Sequence, residues 1–133
     1  MFLETELSYA TVNLKPVYEG HVLVIPKRPI QTILNLSLEE MCDLFNTAQN
    51  ICNQFETQFC RDRYVVAIQD GPLSGQSVSH VHLHLMPAPR KPDNKFIQGA
   101  EAAGEDETVN KDSFRTEEDI ETEAIRYRSL FYT

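Results

Sequence analysis

Residues 76 to 87 read Gln-Ser-Val-Ser-His-Val-His-Leu-His-Leu-Met-Pro, and three of the chain's four histidines, His80, His82 and His84, alternate there with aliphatic residues. Alternation at period two is the pattern of a β-strand, because successive side chains point to opposite faces. The three imidazoles are therefore expected on one face, with Val81, Leu83 and Leu85 turned into a core. Pro87 is expected to end the strand by removing a ladder donor. The aliphatic row fixes the register, since a slip of one residue would bury the imidazoles.

A lone histidine is more often a half-buried structural residue than a site, but three on one face are harder to explain that way. A zinc, copper or iron site is the next alternative. In a strand rising about 3.3 Å per residue, positions 80 and 84 lie roughly 13 Å apart, too far for both to join a tetrahedral zinc site with ligands at about 2.1 Å. No Cys, Asp or Glu lies inside the stretch, and His21 is the only other histidine. No protein-held metal is expected. What remains is a nucleophile or acid–base group, because an imidazole with a pKa of about 6.5 is mostly neutral near neutral pH. Covalent catalysis through it would split one hard displacement into two easier ones. Periodicity leaves open which of the three attacks.

Working outward, Tyr64-Val-Val-Ala-Ile-Gln69 is rich in β-formers and reads as a strand. It runs into Asp70-Gly-Pro-Leu-Ser-Gly75, a turn-rich loop in which glycines and small polar residues let backbone N–H groups approach a phosphate. A plain hairpin connection is the simpler reading, but the loop adjoins the histidines. Gly75, Gln76, Ser77 and Val78 are therefore phosphate-contact candidates, with Gln69 and Gln76 as neutral hydrogen-bond donors. Farther upstream, residues 8 to 13 and His21-Val-Leu-Val-Ile25 read as two strands of an antiparallel hairpin crossing Lys15 to Gly20. Pro26 to Pro29 is expected to be a turn with solvated charges.

Ser37-Leu-Glu-Glu40 is a capping box, followed by apolar residues at 38, 41, 42, 45, 48, 51, 52, 55 and 59. This pattern predicts a helix of about six turns covering one face of a sheet, with Cys42 and Cys52 as small core residues. A shorter C-terminal helix is expected over 114–131, starting near Thr116 with Asp119 in its first turn and apolar residues at 120, 124, 127 and 131. Between them, residues 88–113 are poor in apolar side chains and are expected to form a mobile loop.

At 133 residues the chain is one expected domain, 1–133, long enough for a real core. It carries 41% hydrophobic and 24% charged residues and has no stretch approaching the roughly 18 apolar residues of a membrane span. The N-terminus lacks the basic and apolar regions of a signal peptide. Three cysteines, at 42, 52 and 60, suit reduced thiols in cytosol or nucleus. The net charge is −8, and residues 101 to 123 hold ten acidic and two basic residues, so the acidity belongs to one late segment. Polynucleotide binding is not expected, while a phosphate site elsewhere remains open.

His80-Val-His-Leu-His-Leu-Met86 resembles the signature of the histidine triad family, in which three histidines alternate with apolar residues. Thr5 to Asn13, Lys15 to Pro26 with Arg28-Pro29, and Gln69 to Gln76 narrow the resemblance to the fragile histidine triad branch, the dinucleoside triphosphate hydrolases. A lone HxHxH would be weak, but four motifs in order over residues 2 to 88 are specific. The resemblance implies an α+β fold of the histidine triad type: a mainly antiparallel five-stranded sheet under one long helix, with a shorter C-terminal helix. The strands not already evident are expected near the N-terminus and after residue 31. The resemblance also implies that His82 attacks the α-phosphorus of a dinucleoside polyphosphate and forms a nucleotidyl-histidine that water hydrolyses. Diadenosine triphosphate would give AMP and ADP. His80 and His84 would orient the nucleophile and bond phosphate oxygens, His21 would support the triad, and Asn13 would contact ribose. Mg²⁺ or Mn²⁺ would arrive with the substrate phosphates, and the chain would pair as a homodimer. The chain starts close to the Thr5 motif, where relatives carry an additional strand that contributes to the base pocket, so either a more open base pocket or a truncated start is expected. Two alternatives are a nucleoside phosphoramidate hydrolase of the same family and a slow-turnover nucleotide-binding signalling protein.

Overall fold

The computed structural model describes residues 1–13, 20–59, 64–76, 79–87 and 116–132. Five strands form one antiparallel sheet: β1 (Leu3–Glu4), β2 (Ser8–Val12), β3 (Val22–Pro26), β4 (Tyr64–Ile68) and β5 (Leu83–Pro87), in the spatial order β1-β2-β3-β5-β4. Helix α1 (Leu38–Phe59) and helix α2 (Glu117–Arg128) complete the α+β architecture, as expected.

Alternation sorts the strand residues between two faces. Ala10, Val12, Val22, Val24, Leu83 and Leu85 form the core together with Leu44, Ala48, Ile51 and Phe55 of α1. On the opposite face, Tyr9, Thr11, Leu23 and Ile25 are half-buried. Leu23 and Ala67 flank His84 in the ladder, so β5 presents an imidazole to that face.

The capping box forms as written in the sequence. Ser37 Oγ accepts from Glu40 N–H at 3.1 Å, and Glu40 Oε1 accepts from Ser37 N–H at 3.0 Å. The stripe it introduces matches the expected one from Ala48 to Phe55 and departs from it in the first two turns. Leu38, Met41, Cys42 and Phe45 are exposed, while Glu40, Leu44, Thr47, Ala48, Ile51 and Phe55 face inward. Cys42 is therefore not a core residue, and Cys52 is half-buried. Leu44, Ile51 and Phe55 set the inward face, and Glu40, on the same side, is satisfied by Arg28, whose guanidinium donates to both its oxygens at 2.6 and 3.1 Å. Nor is Pro26 to Pro29 a turn of merely solvated charges, because Lys27 also pairs with Glu4 at 2.6 Å.

Helix α2 begins at the expected place, with Thr116 as N-cap and Asp119 closing a second capping box. Tyr127 stacks near Phe2 and Phe55, with ring centroids 5.3 and 4.8 Å away, and ties this helix to the N-terminus and to α1. One further strand is indeed near the N-terminus. After residue 31 there is instead a 3₁₀ turn, Ile33–Asn35. The expected hairpin turn and the 88–113 loop fall largely or wholly outside the described residues, and so does the start of the 114–131 helix.

Candidate active site

The triad stretch is not one continuous strand. Only His84 lies within β5; His80 and His82 precede it, outside the ladder. Val81 N–H leaves the sheet and donates to the Ile30 carbonyl at 2.7 Å, so the β3–α1 connection takes over where β3 ends. The inward row still forms, with Val81, Leu83 and Leu85 fully buried.

Each of the two histidines outside the ladder is fixed by a carbonyl oxygen, and because a carbonyl can only accept, the bond assigns the tautomer of the neutral ring. His82 Nδ1–H donates to the His80 carbonyl at 2.9 Å, which leaves Nε2 with its lone pair. His80 Nε2–H donates to the Pro26 carbonyl at 2.9 Å, which leaves Nδ1 as an acceptor. Half-buried His82 stands edge-on to His84, with ring centroids 4.9 Å apart.

Behind them lies a second histidine contact. His84 Nδ1 is 3.0 Å from His21 Nε2, and Asn13 Nδ2 is 3.1 Å from that same His21 nitrogen. His21 is 1% exposed and His84 9%. Burial, reinforced by the neighbouring imidazoles, lowers the pKa of His21 to about 3 and that of His84 to about 4. Both rings are neutral near neutral pH, and one ring nitrogen of the contact donates while the other accepts. Asn13, His21 and His84 thus form a polar chain, and the His84 ring meets the edge of His82.

The loop residues are placed differently from one another. Gly75 adopts φ 96°, a left-handed conformation that favours glycine, and its N–H closes the 3₁₀ turn on Pro72. Gln76 N–H donates to the Gly71 carbonyl, so both of these backbone donors are used inside the loop. The Gln76 side chain bridges Gly71 N–H and the Gln31 carbonyl, and Gln69 is half-buried at the loop's start. Ser77 and Val78 lie outside the described residues. Sequence reasoning missed Pro26, Ile30, Gln31 and Asp70 as supports. Backbone carbonyls carry no side-chain signal, and Asp70 was visible only as a turn former.

Residues 1–91 match the HIT domain family. The chain belongs to the histidine triad family. Among histidine triad relatives, the bis(5'-adenosyl)-triphosphatase of Dictyostelium discoideum is 43% identical over 131 residues, covering 98% of this chain and 85% of that protein. The bifunctional bis(5'-adenosyl)-triphosphatase/adenylylsulfatase FHIT of Arabidopsis thaliana is 38% identical over 139 residues, 98% of this chain and 77% of that protein. The crystal structure of Plasmodium falciparum diadenosine triphosphate hydrolase superposes with a TM-score of 0.76 at 29% identity, over 96% of this chain and 73% of that one.

Proposed function

We infer that this histidine triad protein is a bis(5'-adenosyl)-triphosphatase, cleaving diadenosine triphosphate to AMP and ADP. The observation that carries the mechanism is the bond from His82 Nδ1–H to the His80 carbonyl, which fixes the ring and, in its neutral form, leaves Nε2 as the nucleophile. Nε2 attacks the α-phosphorus, the P–N bond forms as the bond to the bridging oxygen breaks, and ADP leaves. Water then attacks the same phosphorus and releases AMP, freeing His82. His80 and His84 orient the nucleophile and bond phosphate oxygens, and His21 supports His84 from behind. Asn13, Gln69, Gly75, Gln76, Ser77 and Val78 are proposed for substrate binding. The amide donors that Gly75 and Gln76 now use inside the loop would have to be released or supplemented for direct phosphate contact.

A divalent cation, Mg²⁺ or Mn²⁺, is proposed to enter on the polyphosphate. The support is chemical: polyphosphate oxygens suit a hard divalent cation that keeps most of its waters. A homodimer is proposed from two surfaces, β4, which is an edge of the sheet among the described residues, and the exposed apolar residues at the start of α1. Free thiols at Cys42 and Cys52 support a cytosolic or nuclear setting.

The test is incubation with diadenosine triphosphate and Mg²⁺, following AMP and ADP. His82→Asn is expected to lose turnover by roughly 10⁴-fold or more while still binding nucleotide. Turnover retained in that variant would remove His82 from the nucleophile role. Cleavage of a nucleoside phosphoramidate but not of the dinucleotide would favour the other branch of the family.

A further inference from the structure

The loop in front of the histidines is seated on the β3–α1 connection by a run of contacts in antiparallel order. His80 Nε2–H meets the Pro26 carbonyl, Val81 N–H the Ile30 carbonyl, and Gln76 Nε2–H the Gln31 carbonyl at 3.0 Å. Asp70 closes the far end, its two oxygens accepting from Thr32 Oγ1–H at 3.2 Å and Ile33 N–H at 3.0 Å. Between the two latches, Gln76 Oε1 takes Gly71 N–H at 2.7 Å, and Ser74 Oγ–H is placed to donate to the Asp70 and Gly71 carbonyls, 2.7 and 2.8 Å away. The receiving segment is itself anchored, because Arg28 donates to Glu40 of α1 and to the Asn35 carbonyl at 2.9 Å.

We propose that Asp70 is a positioning residue for the reaction: by seating residues 70 to 76 on Thr32 and Ile33, it fixes Gln76 and, through it, the stretch that aims His82. Asp70 itself does not touch the substrate. The proposal rests on His82 being the nucleophile of the hydrolysis inferred above. A carboxylate suits the post because it offers an acceptor to each of two donors, whereas the amide of Asn offers one oxygen and one donor group that would face a donor. The physical expectation is that a small displacement of a nucleophile costs far more in rate than in substrate binding.

The experiment compares Asp70→Asn, Thr32→Val and Thr32→Ser with the wild type, using folded enzyme counted by its nucleotide-binding capacity. Asp70→Asn and Thr32→Val are expected to lower kcat roughly 10- to 100-fold while KM for diadenosine triphosphate stays within about threefold. Thr32→Ser, which keeps the hydroxyl, is expected to restore the rate. In parallel, NMR of the His82 Nδ1–H proton is expected to show faster solvent exchange in Asp70→Asn, a readout that needs no turnover. An unchanged kcat per folded molecule, or an unchanged proton exchange, would overturn the positioning role. If the wild type did not hydrolyse the dinucleotide at all, the inferred function would fall, and the exchange measurement alone would decide whether Asp70 positions His82.

Discussion

His21 and His84 occupy sites that suit only their neutral forms, since their folded pKa values, about 3 and about 4, lie below the ordinary 6.5. The unfolded chain therefore binds protons at these positions first. Stability from the pair is complete above pH about 6.5 and declines as pH falls toward the folded values, by at most about 1.4 kcal/mol per pH unit for each histidine. Urea midpoints measured at pH 7.5 and pH 5 should accordingly be lower at pH 5, and His84→Asn should shrink that difference; equal midpoints at the two pH values would contradict it. The histidines themselves were legible from spacing. Which nitrogen of His82 carries the proton was not, because that follows from a carbonyl whose position depends on where the chain leaves the sheet.

The start of α1 shows what the local pattern can and cannot specify. Ser37 and Glu40 are three residues apart, so their capping box is encoded locally, and Ser37→Ala should cost about 1 kcal/mol in chemical unfolding. Glu40→Ala should cost more, because it also strands the Arg28 guanidinium, whose bonds hold the Glu40 pKa down to about 2. If the two variants unfolded at the same denaturant concentration, the Arg28 contact would contribute nothing. The apolar count along the helix identified the buried face from Ala48 to Phe55 but not in the first two turns, where Leu38, Met41 and Phe45 fit a helical stripe as well as Leu44 does. There Glu40 lies inward and is bonded by Arg28, twelve residues before it.

Over the whole molecule, the exposed stripe and β4, an edge strand among the described residues, are the surfaces that the proposed homodimer would cover. Sedimentation should give twice the chain mass, and Phe45→Glu, which adds a charge to a side chain already 48% exposed, should give the single-chain mass with little loss of stability. A wild type of single-chain mass would exclude the pairing. The fold class, the sheet under a long helix, the helix caps and the histidine row were all readable in the sequence by itself, because alternation, capping and the order of motifs are properties of neighbouring residues. The tertiary structure alone decided that His80 and His82 stand outside the ladder, that Asp70 and Gln76 clasp the connection after β3, and that His21 meets His84. Those contacts join residues 37 to 63 positions apart. Such pairings depend on how the sheet orders its strands, and no local pattern carries that information.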